Sequence, residues 1–479
     1  MAGPGVGTWI ERRAASAPGD VAIVAGGTGI TYGELAGRIR ALAADLLARR
    51  IAPGDRVAYH GGNHPAALIG LFATAAVGAI WVPIHPSRPE DEVRAIARDA
   101  EPRLVLRAEP DLHPGLGIPE LESSELGGDG PPPAARDPSP QDLVVLPYTS
   151  GTTGDPKGVM ITEGGMLAHT AEMVGALALT SADVAVAAAP FTRMGGLGVT
   201  VLPTLFAGGT VAIPPVADGP ATLATIEQDR VSVLFANPDL LDGIVRSPGW
   251  PVADVSSVRT GVVGGGLVPE PLLRTYLDRG VRLRHGYGLT EAGPAVSFLN
   301  EDEAATRSAS VGRPLPLIEV RTVRPDGSVC EPGEVGEWEV RGPTVCTGYW
   351  RRPPVHDGDG WFPTGDLGSI DAEGYLTFLD RASSALHVGG AVVYPATVER
   401  TLYGLPGVAD AAVAQVDGRL VAAVVPEAGG APDRHELLRS LADALPPGSV
   451  PGEIRLVEEI PRNASAKVRR DVLVRILSG

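Results

Sequence analysis

Cysteine is almost absent: Cys330 and Cys346 are the only two in 479 residues. They are too few for a disulfide framework and too far apart for a CxxC site. Two free thiols of a reducing cytoplasm are the expectation. Aromatic residues make up 5% of the chain, so composition leaves the size of any binding pocket open. Positive charge is also scarce. Lys and Arg number 40 against 57 Asp and Glu, a net charge of −17, which argues against a nucleic-acid or anionic-membrane surface. The opening MAGPGVGTWIERRAA has no apolar core of signal-peptide length. One stretch without charge, Pro65 to Ile84, is long enough to span a bilayer. It is rich in Ala and Gly, carries Pro65 and Pro83 near its ends, and runs into the strand-like IWVPI. It predicts a buried helix followed by a buried strand, not a membrane span.

What the chain does contain is a globular composition, 44% apolar and 20% charged, over a length that implies two or three units. Thr31-Tyr-Gly-Glu34 is a capping-box pattern, with Leu35, Ile39, Leu42 and Leu46 on one helical face. Apolar strands and amphipathic helices then alternate through the first half, as in an α/β protein with largely buried sheets. Residues 109–141, rich in Pro, Gly and acids, read as a surface loop. From Val320 to Phe378 short β-like runs dominate (IEVRTV, GEWEVRG, GYLTFLD). Beyond Arg381 the pattern predicts a helix carrying Val398, Leu402 and Leu405, strands at AAVAQV and LVAAVVP, a second helix and a basic tail. That is a small α+β unit of about a hundred residues, with its boundary near Asp380–Ser384.

The segment 148–160, YTSGTTGDPKGVM, follows the apolar strand LVVLPY. Its glycines let backbone N–H groups turn toward an anion. Thr149, Ser150, Thr152 and Thr153 add hydroxyl donors around Gly151, and Lys157 adds charge. A polyphosphate needs these groups. Gly158 after Lys157 excludes a Walker A loop, which requires Ser or Thr there.

This segment resembles the phosphate-loop signature of the adenylate-forming superfamily, which includes acyl- and aryl-CoA synthetases, carrier-protein adenylation domains and firefly luciferase. The remaining signatures follow in the family's order. Gly264-Gly265-Gly266 resembles the loop against the adenine, and Tyr287-Gly288-Leu289-Thr290-Glu291 the second signature. Thr364-Gly365-Asp366 resembles the third, Arg381 the arginine that closes the nucleotide site, and Lys467 the C-terminal lysine. The likeness runs from about Trp9 to the end and is closest to the fatty-acyl and aryl-CoA ligases. It implies two stacked, helix-flanked sheets plus a small β-barrel-like subdomain in residues 1–380. A small mobile α+β domain, residues 381–479, would carry the lysine.

By that resemblance Tyr287 packs on the adenine, Thr290 donates to the α-phosphate and Glu291 holds Mg²⁺. Asp366 accepts the ribose hydroxyls. Lys467 screens the approach of a carboxylate to the α-phosphate. The implied reaction joins a small carboxylic acid to AMP with release of pyrophosphate, then passes the acyl group to CoA. Other acceptors stay open: a carrier-protein thiol, an amine, or nitrite in a diazo-forming reaction. A catalytically silent nucleotide binder is a further alternative, against which the presence of Lys157, Glu291, Asp366 and Lys467 argues.

Three places depart from the family pattern. Thr192-Arg193-Met194-Gly195 puts Arg193 where a histidine often stands at the acceptor tunnel. Arg193 reads either as a partner for a second polar or acidic group of the substrate or as a loop brace. Ser383 and Ser384 replace the usual charged hinge, whose pivot acid is missing, and the loop between the C-terminal strands is short. Asn237, His285 and Gly286 complete a candidate acyl pocket by the same analogy, with a purely structural histidine as the other reading of His285.

Overall fold

The computed structural model describes residues 5–109, 115–126, 130–131, 136–150, 155–266, 268–300, 302–303, 306–307, 309–389, 391–427, 430–462 and 468–478. The chain is an α/β protein with a large N-terminal domain of several sheets and a smaller C-terminal one. A nine-stranded sheet is parallel through its six central strands, from Leu283–Tyr287 to Val21–Ala25, with antiparallel strands at both edges. A six-stranded sheet is parallel except at Ile161–Thr162. One core, shared by the facing sides of both sheets, encloses the helices Tyr32–Ala48 and Pro65–Ala76. Helices Gly219–Gln228, Pro238–Val245 and Glu270–Leu277 cover the far face of the larger sheet, and Glu90–Ala100 that of the smaller. Two helix-flanked sheets are thus stacked, as the family resemblance implied.

Local signals explain these elements. Thr31 and Glu34 exchange both capping-box bonds, and Leu35, Ile39, Leu42 and Leu46 are all buried. The charge-free run forms a helix, Pro65–Ala76, and a strand, Ile80–Ile84, whose five residues are all buried. An apolar helix between two sheets has no solvent side, which is why this run looked like a span. Among the described residues no helix is long and apolar enough to cross a membrane.

Two expectations need correction. Within 109–141, Glu120–Glu122 is a strand on the edge of the smaller sheet. Its carboxylates face buried Arg107, with Arg107 Nη2 2.7 Å from Glu122 Oε1. Burying a guanidinium demands such partners, so a polar segment is drawn into the sheet. The strand Phe362–Ile370 was also not anticipated, because Pro363, Gly365 and Gly368 weaken its β signal. It pairs with Gly336–Arg341 and Leu376–Arg381 in a four-stranded antiparallel meander.

Past Arg381 the apolar clusters are separate. A three-stranded sheet (Val408–Val416, Arg419–Pro426, Glu453–Leu456) packs helices Pro395–Tyr403 and Arg434–Ala444 on one face and Arg470–Ser478 on the other. Buried Asp380 bridges this unit to the meander by accepting from Ala396 N at 2.8 Å.

The two large sheets are tied at their carboxyl ends by one amide. Asn63 Nδ2 donates to Ala187 O (2.7 Å) and Ala189 O (2.8 Å), and its Oδ1 accepts from Phe191 N (2.7 Å). Three bonds are lost in Asn63→Ala, so chemical denaturation should show a loss of about 2–3 kcal/mol. A change under about 0.5 kcal/mol would contradict this bridging role.

His169 is wholly buried, and its Nε2 donates to Gly198 O at 3.1 Å. Burial pushes the imidazole down to about 4. Between the unfolded value near 6.5 and that folded value, only the unfolded chain takes up the proton. Its contribution is therefore complete above about pH 6.5 and falls as the pH drops toward 4. Glu163 and Glu172, raised by burial, act in the opposite sense, so the test is a difference. The stability gap between wild type and His169→Asn should narrow by about 2 kcal/mol from pH 7.5 to pH 5. A constant gap would rule out a neutral His169.

Candidate active site

The central parallel strands of the nine-stranded sheet all point their carboxyl ends to one side, where α/β sheets bind ligands. Leu283–Tyr287 delivers Tyr287 there, and Phe362–Ile370 brings Asp366 opposite it. The Tyr287 hydroxyl donates to Asp366 Oδ2 at 2.7 Å, and Arg381 Nε lies 2.9 Å from Asp366 Oδ1. Asp366 is 2% exposed, so its charge is held by these two groups rather than by water. Burial and the adjacent carboxylate push the Tyr287 phenol far up, which keeps it a donor. Trp338 meets the Tyr287 ring edge-on at 4.9 Å and Phe378 stacks at 6.1 Å. An ionised carboxylate has about four lone-pair sites and accepts only, which suits it to hydroxyl donors.

Glu291 and Lys157 lie on the adjoining loops. Gly288 must be glycine, since a Cβ there would sit 1.8 Å from Pro294 O. That close approach turns the chain into the short helical turn Thr290–Ala292. Tyr349 donates to Glu291 Oε1 at 2.8 Å, and Cys346 N to Glu291 O at 2.7 Å. Lys157 sits on the hairpin Tyr148–Ser150/Pro156–Gly158, opposite Thr149, with Nζ 5.5 Å from the Tyr349 ring centroid. Tyr349 thus holds the acid and faces the ammonium. A carboxylate with one oxygen that accepts nothing among the described residues, and an ammonium across the Tyr349 ring, form a donor set that fits Mg²⁺ and phosphate oxygens. Gly151, Thr152, Thr153, Lys467 and the Ser150 side chain lie outside the described residues.

The Gly264–Gly266 turn follows strand Thr260–Val263 and has Gly265 at φ +83°, a conformation that favours glycine. Gly264 stands against the Gly286 carbonyl, so this turn and the end of strand Leu283–Tyr287 are in contact. Gly195 and Gly264 both border the ring of Phe235, which lines this space although nothing in the sequence singled it out. Met194 and Thr192 are buried, and Thr192 Oγ1 has no hydrogen-bond partner among the described residues. Asn237 has a structural duty: its Oδ1 caps helix Pro238–Val245 by accepting from Leu240 N at 2.9 Å. Burial and Arg400 push His285 down to about 4 against a backbone bond at Ser310, and its Nδ1 is buried without a partner among the described residues. Arg193, the residue before the short helix Met194–Gly196, is half-buried, and burial with the charge of Arg88 holds its guanidinium below its usual value.

The sequence reading overlooked Tyr349, Trp338 and Asn63. Tyr349 stands in the run CTGYWRRP, but an aromatic outside a signature carries no mark of which acid it bonds. Ser383 and Ser384 form the turn Ala382–Ser384 directly after Arg381.

Residues 10–350 match the family model "AMP-binding enzyme", and residues 397–467 match "AMP-binding enzyme C-terminal domain". A feruloyl-CoA synthase from Amycolatopsis sp is 38% identical, the alignment covering 98% of both chains. An indoleacetate–CoA ligase from Aromatoleum aromaticum is 35% identical, covering 97% of this chain and 96% of that one. Among solved structures, o-succinylbenzoate CoA synthetase from Bacillus subtilis, in complex with its acyl-adenylate intermediate, matches with TM-score 0.86 and 28% identity. That alignment covers 97% of each chain. The ATP-bound MatB of Rhodopseudomonas palustris matches with TM-score 0.87 and 28% identity over 98% of each chain. With both family models in chain order and relatives aligned end to end, this chain belongs to the AMP-binding enzyme family.

Proposed function

We propose that the chain is an AMP-forming acid–CoA ligase acting on an aromatic or arylalkanoic acid. The observation that carries this is the meeting of Tyr287, Asp366 and Arg381 with Glu291, Tyr349 and Lys157 at one end of the sheet. The relatives named for feruloyl-, indoleacetyl- and 2-succinylbenzoyl-CoA formation support the acid class and the acceptor.

Each residue has a task in this reading. Asp366 takes the ribose hydroxyls while Tyr287 and Arg381 fix its rotamer, and the Tyr287 face and Gly264–Gly266 enclose the base. Lys157 and the phosphate loop hold the polyphosphate, and Thr290 donates to the α-phosphate. Glu291, oriented by Tyr349, holds Mg²⁺, which when bound neutralises phosphate charge. The substrate carboxylate attacks the α-phosphorus, its new P–O bond replacing the bond to pyrophosphate, which leaves. Lys467 places its ammonium between the two approaching anions. The CoA thiolate then adds to the acyl carbonyl and AMP departs. Residues 1–380 bind both substrates. Residues 381–479, turning at Ser383–Ser384, present the lysine for the first step and withdraw it for the second.

ATP–pyrophosphate exchange over a panel of aryl acids tests the reading, and no exchange with any acid would sink it. Lys467→Ala should lower exchange by about 10²–10³-fold while leaving CoA transfer from supplied acyl-AMP much less affected. Equal losses in both half-reactions would remove the lysine from its assigned step. Asp366→Asn should raise the KM for ATP about tenfold or more, because a charged acceptor and the anchor of Arg381 are both lost. An unchanged KM would take Asp366 out of the nucleotide site.

A further inference from the structure

The segment that carries Lys467 is held at both of its ends. Arg462 and Val468 pair as an antiparallel bridge, and Arg469 N donates to Pro461 O at 2.7 Å. Two arginines flank this closure, each clamped to an acid on the body of the C-terminal unit. Arg462 Nη2 donates to Asp410 Oδ1 at 2.9 Å and to the Tyr403 hydroxyl at 3.2 Å. Tyr403 donates to the same Asp410 oxygen at 2.6 Å, which closes a triangle of three groups. Arg470 Nη2 donates to Glu399 Oε1 at 2.7 Å, and that oxygen also accepts from Val413 N at 3.1 Å. Glu399 is buried, and a carboxylate in that setting persists only with such partners.

Glu399 and Tyr403 both belong to helix Pro395–Tyr403. The same helix is fastened to the nucleotide side of the molecule. Ala396 N donates to Asp380 Oδ2 at 2.8 Å, and Arg400 Nη2 donates to Phe378 O at 2.9 Å. Phe378 and Asp380 lie on strand Leu376–Arg381, where Phe378 stacks on Tyr287 and Arg381 pairs with Asp366. Ala396, Glu399, Arg400 and Tyr403 follow the i, i+3, i+4, i+7 spacing of one helical face. That face therefore meets the wall of the nucleotide site through Ala396 and Arg400. It meets the arginines beside Lys467 through Glu399 and Tyr403.

We propose that Arg462 and Arg470 are positioning residues for Lys467, and that helix Pro395–Tyr403 carries the register of the nucleotide site to the lysine through them. This rests on the adenylation reading above and extends it to the residues that aim the lysine. A lysine ammonium is a point charge on a flexible four-carbon stem, so its placement depends on where its backbone is held. A guanidinium anchored to a carboxylate on each side of the segment supplies that hold. The anchors matter for the rate because a misplacement of about 1 Å in a reacting group costs on the order of 10²-fold.

The test measures ATP–pyrophosphate exchange, and separately the transfer of supplied acyl-AMP to CoA, in variants of the full chain. Arg462→Gln should lower the kcat of exchange by about 10–100-fold, with KM for ATP and acid within about threefold of wild type. CoA transfer should stay within about threefold, and Arg462→Lys should recover part of the lost exchange. In a Lys467→Ala background the same Arg462→Gln change should cost less than about threefold more, because it acts through the lysine. Arg469→Gln is the control: its exposed side chain pairs with its neighbour Asp471 at 3.2 Å, and it should match wild type. Should Arg462→Gln fail to fold, Tyr403→Phe removes one hydroxyl from the triangle and should lower exchange selectively by about 3–10-fold. Equal losses in both half-reactions, a full further loss without Lys467, or no loss of exchange would each overturn the proposal and leave adenylation intact. A loss in Arg469→Gln as large as that in Arg462→Gln would overturn it too. Absence of exchange by wild type with every acid would instead count against adenylation itself, and the proposal would fall with it.

Discussion

Asp366 is the point on which three parts of the chain converge. Its carboxylate is almost entirely removed from water, and a buried charge of that kind persists only with partners. Tyr287 comes from the nine-stranded sheet, Asp366 itself from the antiparallel meander, and Arg381 from the last residue of that meander before the C-terminal unit. One anion therefore ties a parallel sheet, the antiparallel meander and the strand end that leads into the C-terminal unit. Next to it Asp380 grips the first turn of helix Pro395–Tyr403. Asp380 and Arg381 are consecutive residues of one strand, so the ion pair on Asp366 and the bond to the C-terminal unit adjoin each other.

The opposing constraint lies on the far side of the site. Asn63 locks the six-stranded sheet to the loop that begins the acyl-side segment, and His169 supports the helical stretch after it through Gly198. Both act by satisfying backbone groups that would otherwise be buried unpaired, a cost that folding avoids. Rigid strand ends thereby present short, precise loops. Function is concentrated in those loops and stability in what lies behind them.

Much of this was legible in the sequence. The capping box at Thr31, the charge-free helix and strand at Pro65–Ile84, and the separate C-terminal unit follow from periodicity and turn chemistry. The ordered signatures marked Tyr287, Glu291 and Asp366, because each lies in a run whose glycines and hydroxyls have no simpler explanation. Tertiary partners were not legible. Nothing local says that Tyr349 bonds Glu291 or that Asn63 reaches Ala187. Strand Phe362–Ile370 was hidden by residues that weaken isolated strands but suit a site where other groups approach the backbone closely. Asn237 shows the reverse case, a polar residue beside the pocket whose oxygen serves a helix cap.

The central claim is that a carboxylate oxygen becomes bonded to the α-phosphorus of ATP. Incubating the enzyme with MgATP, CoA and an aryl acid labelled with ¹⁸O in its carboxyl group, then reading the products by mass spectrometry, tests it directly. The account predicts one labelled oxygen in AMP, unlabelled pyrophosphate and an acyl-CoA thioester. Label in inorganic phosphate, with ADP as the nucleotide product, would contradict it.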